Sequence, residues 1–200
     1  MNSRFLMTQS LLASWLWLYK ATDSQKAQAE FLRTLERRRE RPTAAMLDGI
    51  RFENMVTAYC EGTSPEPGHQ WETGVQSVGD AVRGGQFQVA ASADRRIAGT
   101  DFVLYGRLDA LRAGVIYDIK FSRSYAPGKF LDSPQHPMYF ACCPEGRRFV
   151  YLVSDGKGLC REEYLPGQSP PIEDTIQQFM DYLRDAGLLA IYYKNWKSKY

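Results

Sequence analysis

The sequence predicts an α/β fold in which a central mixed sheet of about five strands is flanked by helices. Three observations predict it. Up to about residue 85 the apolar residues recur at helical spacing, as in Ala27, Phe31, Leu32 and Leu35. From Gln86 the period falls to two, with Phe87 and Val89 alternating with polar residues in "QFQVAASADRRI". Then "DFVLYGRLDALRA" and "GVIYDIKFS" meet at Ala113-Gly114, and a two-residue hairpin loop favours Gly because its backbone needs φ > 0.

The elements follow in order. Thr8 or Ser10 can cap a first helix whose Leu11, Leu12, Trp15, Leu16 and Tyr19 form an apolar stripe. Thr8, Gln9 and Ser10 interrupt the apolar run, and no small-x-small cleavage site follows Leu18, so a core helix is expected here in place of a secretory signal. No run reaches the roughly 18 apolar residues of a membrane helix. The expected location is the cytoplasm, with no membrane partner.

Asp23 to Arg41 reads as a helix ended by Pro42. Thr43 caps the next, with Met46, Ile50, Met55, Val56 and Tyr59 at helical spacing and Gly62 as its stop. "TSPEPGH" is a loop, and "QWETGVQSVGDAVRGG" a short helix closed by Gly84-Gly85. After the hairpin come the loop "YAPGKFLDSP", a short helix in "QHPMYFACC", and two strands, "RRFVYLVS" and "LCREEYL", around Asp155-Gly156. "PPIEDTIQQFMDYLRDAGLLAIYY" closes the chain as a helix, with Pro171 near its first turn and Gly187 near its end. One domain is expected over 1–200: a helical part to residue 85, a sheet core over 86–165, and a helix and tail over 166–200.

Composition narrows the class. A hydrophobic content of 44%, with Trp 4, Tyr 12 and Phe 10, excludes a disordered chain. A formal net charge of +2 permits a nucleic-acid partner without announcing one, so any basic footprint must be local. Cys60, Cys142, Cys143 and Cys160 form no C-x-x-C pair and suit neither a zinc knuckle nor a disulfide framework; buried reduced thiols are expected.

The hairpin carries the chemistry. A turn at Ala113-Gly114 sets Asp109 opposite Asp118, with Cβ atoms roughly 4.5–5.5 Å apart. Strand alternation puts Lys120 on the Asp118 face while Ile119 points away. Two facing carboxylates repel, and one would take up a proton unless a cation kept both ionised. A hard divalent ion such as magnesium takes carboxylate, water and phosphate oxygens, and a lysine beside it can hold a phosphate oxygen or orient a water. The alternative is a surface hairpin with ordinary solvated charges.

Gly106-x-x-Asp109, Asp118-Ile119-Lys120 and Gln135-x-x-x-Tyr139 follow one another. Upstream of them the predicted helix carries Gly49-Ile50-Arg51-Phe52-Glu53. This set, from about Thr8 to Tyr151, resembles the PD-(D/E)XK nuclease superfamily, in particular its RecB-like exonuclease branch. The resemblance implies a restriction-endonuclease-like core and metal-dependent hydrolysis of DNA phosphodiester bonds. It also implies site roles. Asp109 and Asp118 would hold Mg2+ or Mn2+, with the Ile119 backbone carbonyl as an extra ligand and Glu53 as a further carboxylate, direct or through water. Lys120 would position water or stabilise charge on the scissile phosphate. Gln135 and Tyr139 would contact DNA or orient the site.

Departures from the pattern are specific. Pro134 and Pro137 place Gln135 at the first turn of its helix or just before it. Position 53 is Glu where some relatives use His. The cysteine spacing does not match the iron–sulfur relatives, so no cluster is expected. The resemblance further implies DNA as partner, a stand-alone nuclease of phage or mobile-element type, and a recombination or repair setting with a possible partner protein from that pathway. Two rivals stand beside it: an inactive DNA-binding module of the same fold, and a metal-dependent hydrolase of another phosphate ester.

Other features have plainer readings. "ERRRER", Glu36 to Arg41, could meet phosphate or lie solvated at a helix end. The tail "YYKNWKSKY" could stack on single strands or pack its aromatics on the domain. His69 reads as a surface residue, and His136 as a neighbour of the site more than a metal ligand.

Overall fold

The computed structural model describes residues 4–38 and 41–199. Six strands form one mixed sheet: β1 (Phe5–Thr8), β2 (Gln86–Ile97), β3 (Thr100–Arg112), β4 (Val115–Phe121), β5 (Arg148–Ser154) and β6 (Cys160–Tyr164). Seven α-helices flank it: α1 (Gln9–Leu16), α2 (Ser24–Leu35), α3 (Ala44–Cys60), α4 (Glu72–Val82), α5 (Gln135–Cys142), α6 (Ile172–Asp185) and α7 (Leu189–Asn195). This is the expected mixed α/β architecture, consistent with a restriction-endonuclease-like core, with one strand more than the sequence predicts.

The added strand is β1, which pairs parallel with β3 from Phe5↔Phe102 to Thr8↔Tyr105. The 1–85 part is therefore not wholly helical. Thr8 ends the strand and caps α1, its hydroxyl accepting from Leu11 N at 3.3 Å. Leu11, Leu12 and Trp15 are buried as expected, while Tyr19 lies exposed beyond the helix.

Two layers of helix cover the two faces of the sheet. On one side α1, α2, α5, α6 and α7 enclose Leu11, Phe31, Leu104, Phe149, Phe179 and Tyr192. On the other, α3 and α4 enclose Phe52, Val56, Trp71, Val78 and Leu152. Each fully buried Phe or Leu contributes roughly 1.5–3 kcal/mol.

Local chemistry sets the boundaries. Asp23 caps α2 through Lys26 N at 2.9 Å, but the helix ends at Leu35, well before Pro42, because Arg37 is left-handed at φ 55. Thr43 caps α3 as expected, through Met46 N at 3.2 Å. Its expected stripe is only partly buried: Val56 is covered along with Phe52, whereas Met46 is 58% and Ile50 50% exposed. At the last turn of α3 the Tyr59 ring lies against Gly79 of α4, where a Cβ would overlap it. Gly187, at φ 69, closes α6, so the single predicted closing helix is two.

The tail packs on the domain. Tyr192 and Trp196 are buried, Trp196 Nε1 donates to Leu35 O at 2.8 Å, and Arg37 lies over the Trp196 ring. Of "ERRRER", Arg39 and Glu40 lie outside the described residues. All four cysteines are free, but only Cys142 and Cys143 are buried; Cys60 is partly open and Cys160, on the outermost strand, is exposed. No helix among the described residues is long and apolar enough to cross a membrane.

His136 turns into the core. It stacks on Tyr164 with centroids 4.0 Å apart and sits between Tyr151 Oη and Ser169 Oγ. Burial lowers its pKa from 6.5 to about 4. A histidine depressed in the folded state contributes stability that is full above its unfolded pKa and is lost as pH falls toward its folded one. Between about pH 7 and about pH 5, thermal or urea unfolding of the wild type is expected to lose about 2 kcal/mol that His136→Phe does not lose.

Candidate active site

Strand β3 is paired along one edge throughout by β2, antiparallel from Gln86↔Leu111 to Ile97↔Thr100. Its other edge is shared. β1 takes Phe102 to Tyr105, and β4 takes Ala110 to Arg112, through Ala110↔Tyr117 and Arg112↔Val115. Gly106 to Asp109 therefore face a gap between two strands. The hairpin turn is as predicted, with Ala113 at φ 49 and Gly114 at φ 78.

Buried backbone in such a gap must find partners elsewhere, and side chains supply them. Asp109 Oδ2 accepts from Ile119 N at 2.7 Å. Tyr139 of α5 donates its hydroxyl to Arg107 O at 3.0 Å. A Cβ at position 106 would overlap the Tyr139 ring, so Gly106 is what lets α5 lie against β3. The expected direct pairing of Asp109 with Asp118 is thus modified. The β3–β4 ladder ends one step earlier, and the Asp109 carboxylate occupies the fork.

Beyond the fork β4 pairs parallel with β5, including Asp118↔Tyr151 and Lys120↔Val153. That holds Asp118 at the floor of the cleft, 2% exposed. Gln135, the first residue of α5, donates its amide to Asp118 Oδ1. Lys120 Nζ lies 2.7 Å from Asp118 Oδ2. That contact is a buried, charge-assisted ion pair on the one Asp118 oxygen that Gln135 does not hold. Glu53 reaches the same space from α3 and accepts from the Gln88 amide. Asp109, Asp118, Lys120, Ile119, Glu53, Gln135 and Tyr139 all line one cleft of about 390 Å³.

The electrostatics are strained. Burial, then the charges of Asp118 and Glu53, push Asp109 up to about 8. Burial also raises Glu53 against the opposing Gln88 bond. Burial tends to lower Lys120, and the carboxylates of Asp118 and Asp109 outweigh it and raise the ammonium above its usual value. Among the described residues no three His, Cys, Asp or Glu side chains form a ready-made metal cage. The crowded carboxyls nevertheless suit a cation that takes one or two carboxylates and fills its shell with water and phosphate.

Gln135 sits in the first helical turn, as the two prolines require. His136 faces away from the cleft into the core, and His69 lies in its loop beside Trp71. The cleft also contains residues the sequence reading missed: Thr8, Gln9 and Ser10 at the start of α1, exposed Arg107, and Gln88. The "T-x-S" start of a capped helix was a usable signal for the first group. A lone Gln in an alternating strand offers none. Glu162 was missed too. It accepts from Tyr125 Oη at 2.6 Å, Phe130 N at 3.1 Å and Gly128 N at 3.2 Å, tying down the loop that leads to Gln135.

No family model and no curated protein matches the chain. Among solved structures it is similar to SSO0001, with a TM-score of 0.53 and 13% identity over 93% of this chain and 78% of that one. It also aligns with LHK-Exo in complex with dAMP, with a TM-score of 0.47 and 18% identity over 94% and 92% of the two chains. At such identity the likeness to SSO0001 is one of fold.

Overpacking typically costs about 1–3 kcal/mol. Gly106→Ala, which drives a methyl group into the Tyr139 ring, is expected to lower the melting temperature by several degrees. Tyr139→Ala should cost less in that background than in wild type in a scanning calorimetry comparison, because part of its effect there is to remove the clashing ring.

Proposed function

We propose that the chain is a metal-dependent deoxyribonuclease that hydrolyses DNA phosphodiester bonds at this cleft, acting in the manner of an exonuclease in recombination or repair. The observation that carries the reading is the convergence on one cleft of the Asp109, Asp118 and Glu53 carboxyls beside the Lys120 ammonium, which lies 2.7 Å from the buried Asp118 Oδ2. One ammonium does not neutralise three carboxyls.

Asp109 and Asp118 would hold Mg2+ or Mn2+, with the Ile119 carbonyl as a further ligand and Glu53 joining directly or through water. When bound, such a cation neutralises phosphate charge and makes a water acidic enough to attack. The residues do the rest. Gln135 fixes the Asp118 carboxylate by holding Oδ1, which leaves Oδ2 for the site. Lys120, half within the cleft, donates to a phosphate oxygen or to the attacking water and stabilises the charge that develops there. Tyr139, held neutral by burial that pushes its pKa to about 12, braces α5 on β3 and offers its ring edge to the cleft. Arg107 and the polar start of α1 line the same cleft and would meet the DNA backbone.

End-labelled linear DNA and closed-circular DNA, each with magnesium, test the reading. Wild type is expected to release nucleotides from the linear form. Asp118→Asn and Lys120→Met are each expected to lose at least about 10²-fold in rate, the scale on which single charge-stabilising groups act. Equal rates in wild type and both variants would reject the assignment. DNA binding without hydrolysis would favour the inactive module, and turnover confined to simple phosphate esters would favour the other hydrolase.

A further inference from the structure

Strand β2 contains a residue that a regular strand would not keep. Gln88 has φ 54, in the left-handed region that L side chains other than Asn and Asp rarely enter. It is the third residue of β2, inside the paired ladder. On either side the ladder is regular, with Phe87↔Ala110 and Val89↔Leu108, and the position between them is Gln88 against Asp109.

The two strands change face together at this step. Phe87 packs with the α3–α4 core, but Val89 packs with the opposite core. Residues two apart in a regular strand would share a face. On β3 Leu108 belongs to one core and Ala110 to the other. The register before and after is unchanged, so no residue is inserted and this is not a bulge. One left-handed residue resets the alternation, and it frees two side chains from both faces. One is Asp109, which enters the fork. The other is Gln88, whose amide donates to Glu53.

A strained conformation in a well-packed element persists when something over-determines it, and such positions cluster at functional sites. Glycine would adopt this backbone freely, and Asn readily, yet the chain carries Gln. The longer side chain is what reaches Glu53 across the cleft.

We infer that Gln88 is a positioning residue that aims the Glu53 carboxylate at the space shared with Asp109 and Asp118, so that α3 contributes an oxygen to the cation site. The inference rests on the nuclease reading for its purpose, and on geometry for its content. The Gln88 amide holds Glu53 Oε1, and Glu53 lines the cleft with Asp109 and Asp118. Without it Glu53, on the sole element of the α3–α4 layer that reaches the cleft among the described residues, would swing among its rotamers.

The test uses manganese alone, titrated by calorimetry into wild type, Gln88→Gly, Gln88→Asn, Glu53→Gln and the Gln88→Gly/Glu53→Gln pair. Gln88→Gly relieves the left-handed backbone, so its melting temperature should not fall below wild type. Its manganese affinity should drop by about ten-fold, the lower end for a residue that orients a ligand. Gln88→Asn tolerates the same backbone but reaches one methylene less far, and should weaken binding similarly. The double variant should bind no more weakly than Glu53→Gln alone, because residues acting through one contact are not additive. Unchanged affinity in Gln88→Gly and Gln88→Asn would overturn the inference, as would losses that add in the double variant. Parallel DNA assays separate this from the nuclease reading: a wild type that binds manganese but leaves DNA intact fails that reading while the binding series still decides the role of Gln88. A wild type that binds no manganese overturns both.

Discussion

The structure depends on an edge of β3 that two strands share and neither completes. β1 occupies its first half and β4 its last turn, and Gly106 to Asp109 face the interval. Exposed strand edges invite pairing, and buried ones demand it. Here side chains meet the demand: Asp109 serves β4, and Tyr139 serves β3. Each of those groups is also a member of the candidate site. The same gap that must be closed for folding is thus where polar groups gather.

The gathering has a cost in electrostatics. Three carboxyl groups converge on a partly dry space, and Asp109 responds by holding its proton to about pH 8. Lys120 offsets part of the repulsion, and Gln135 and Gln88 each fix one carboxylate by one oxygen. The supports come from three different elements, α5, β2 and β4. Glu162 and the loop it ties down extend that support to the approach of α5. Such distributed support is what precise placement of ligands requires.

Much of this was legible in the sequence, and the reasons differ by element. The Ala113-Gly114 turn fixes a register, and a register places Asp109, Asp118 and Lys120 together; that inference needs only period two and turn chemistry. Helical spacing puts Gln135 and Tyr139 on one face; their place at the site was implied only by the resemblance of the motif order. Their partners on the strands were not legible, since nothing local says that Tyr139 lies on Gly106. β1 was illegible because "FLMT" is too short an apolar run to distinguish a strand from the start of the helix it abuts. The early end of α2 turns on a single left-handed arginine. Met46 and Ile50 have the spacing of a core stripe, but tertiary contacts decided which turns of α3 were covered. Gln88 was the least visible of all. Its identity is ordinary, and its importance comes from a conformation that no composition announces.

The central claim is that the fork of β3 and β4 is built around a divalent cation that the folded chain binds and the unfolded chain does not. A ligand of that kind stabilises by mass action. The most direct measurement is the melting temperature of the wild-type chain near neutral pH with magnesium or manganese, against the same chain with a chelator and with Asp109→Asn as control. The account predicts a rise with either cation that saturates with its concentration and is absent in Asp109→Asn. A melting temperature indifferent to both cations, or an equal rise in the variant, would contradict it.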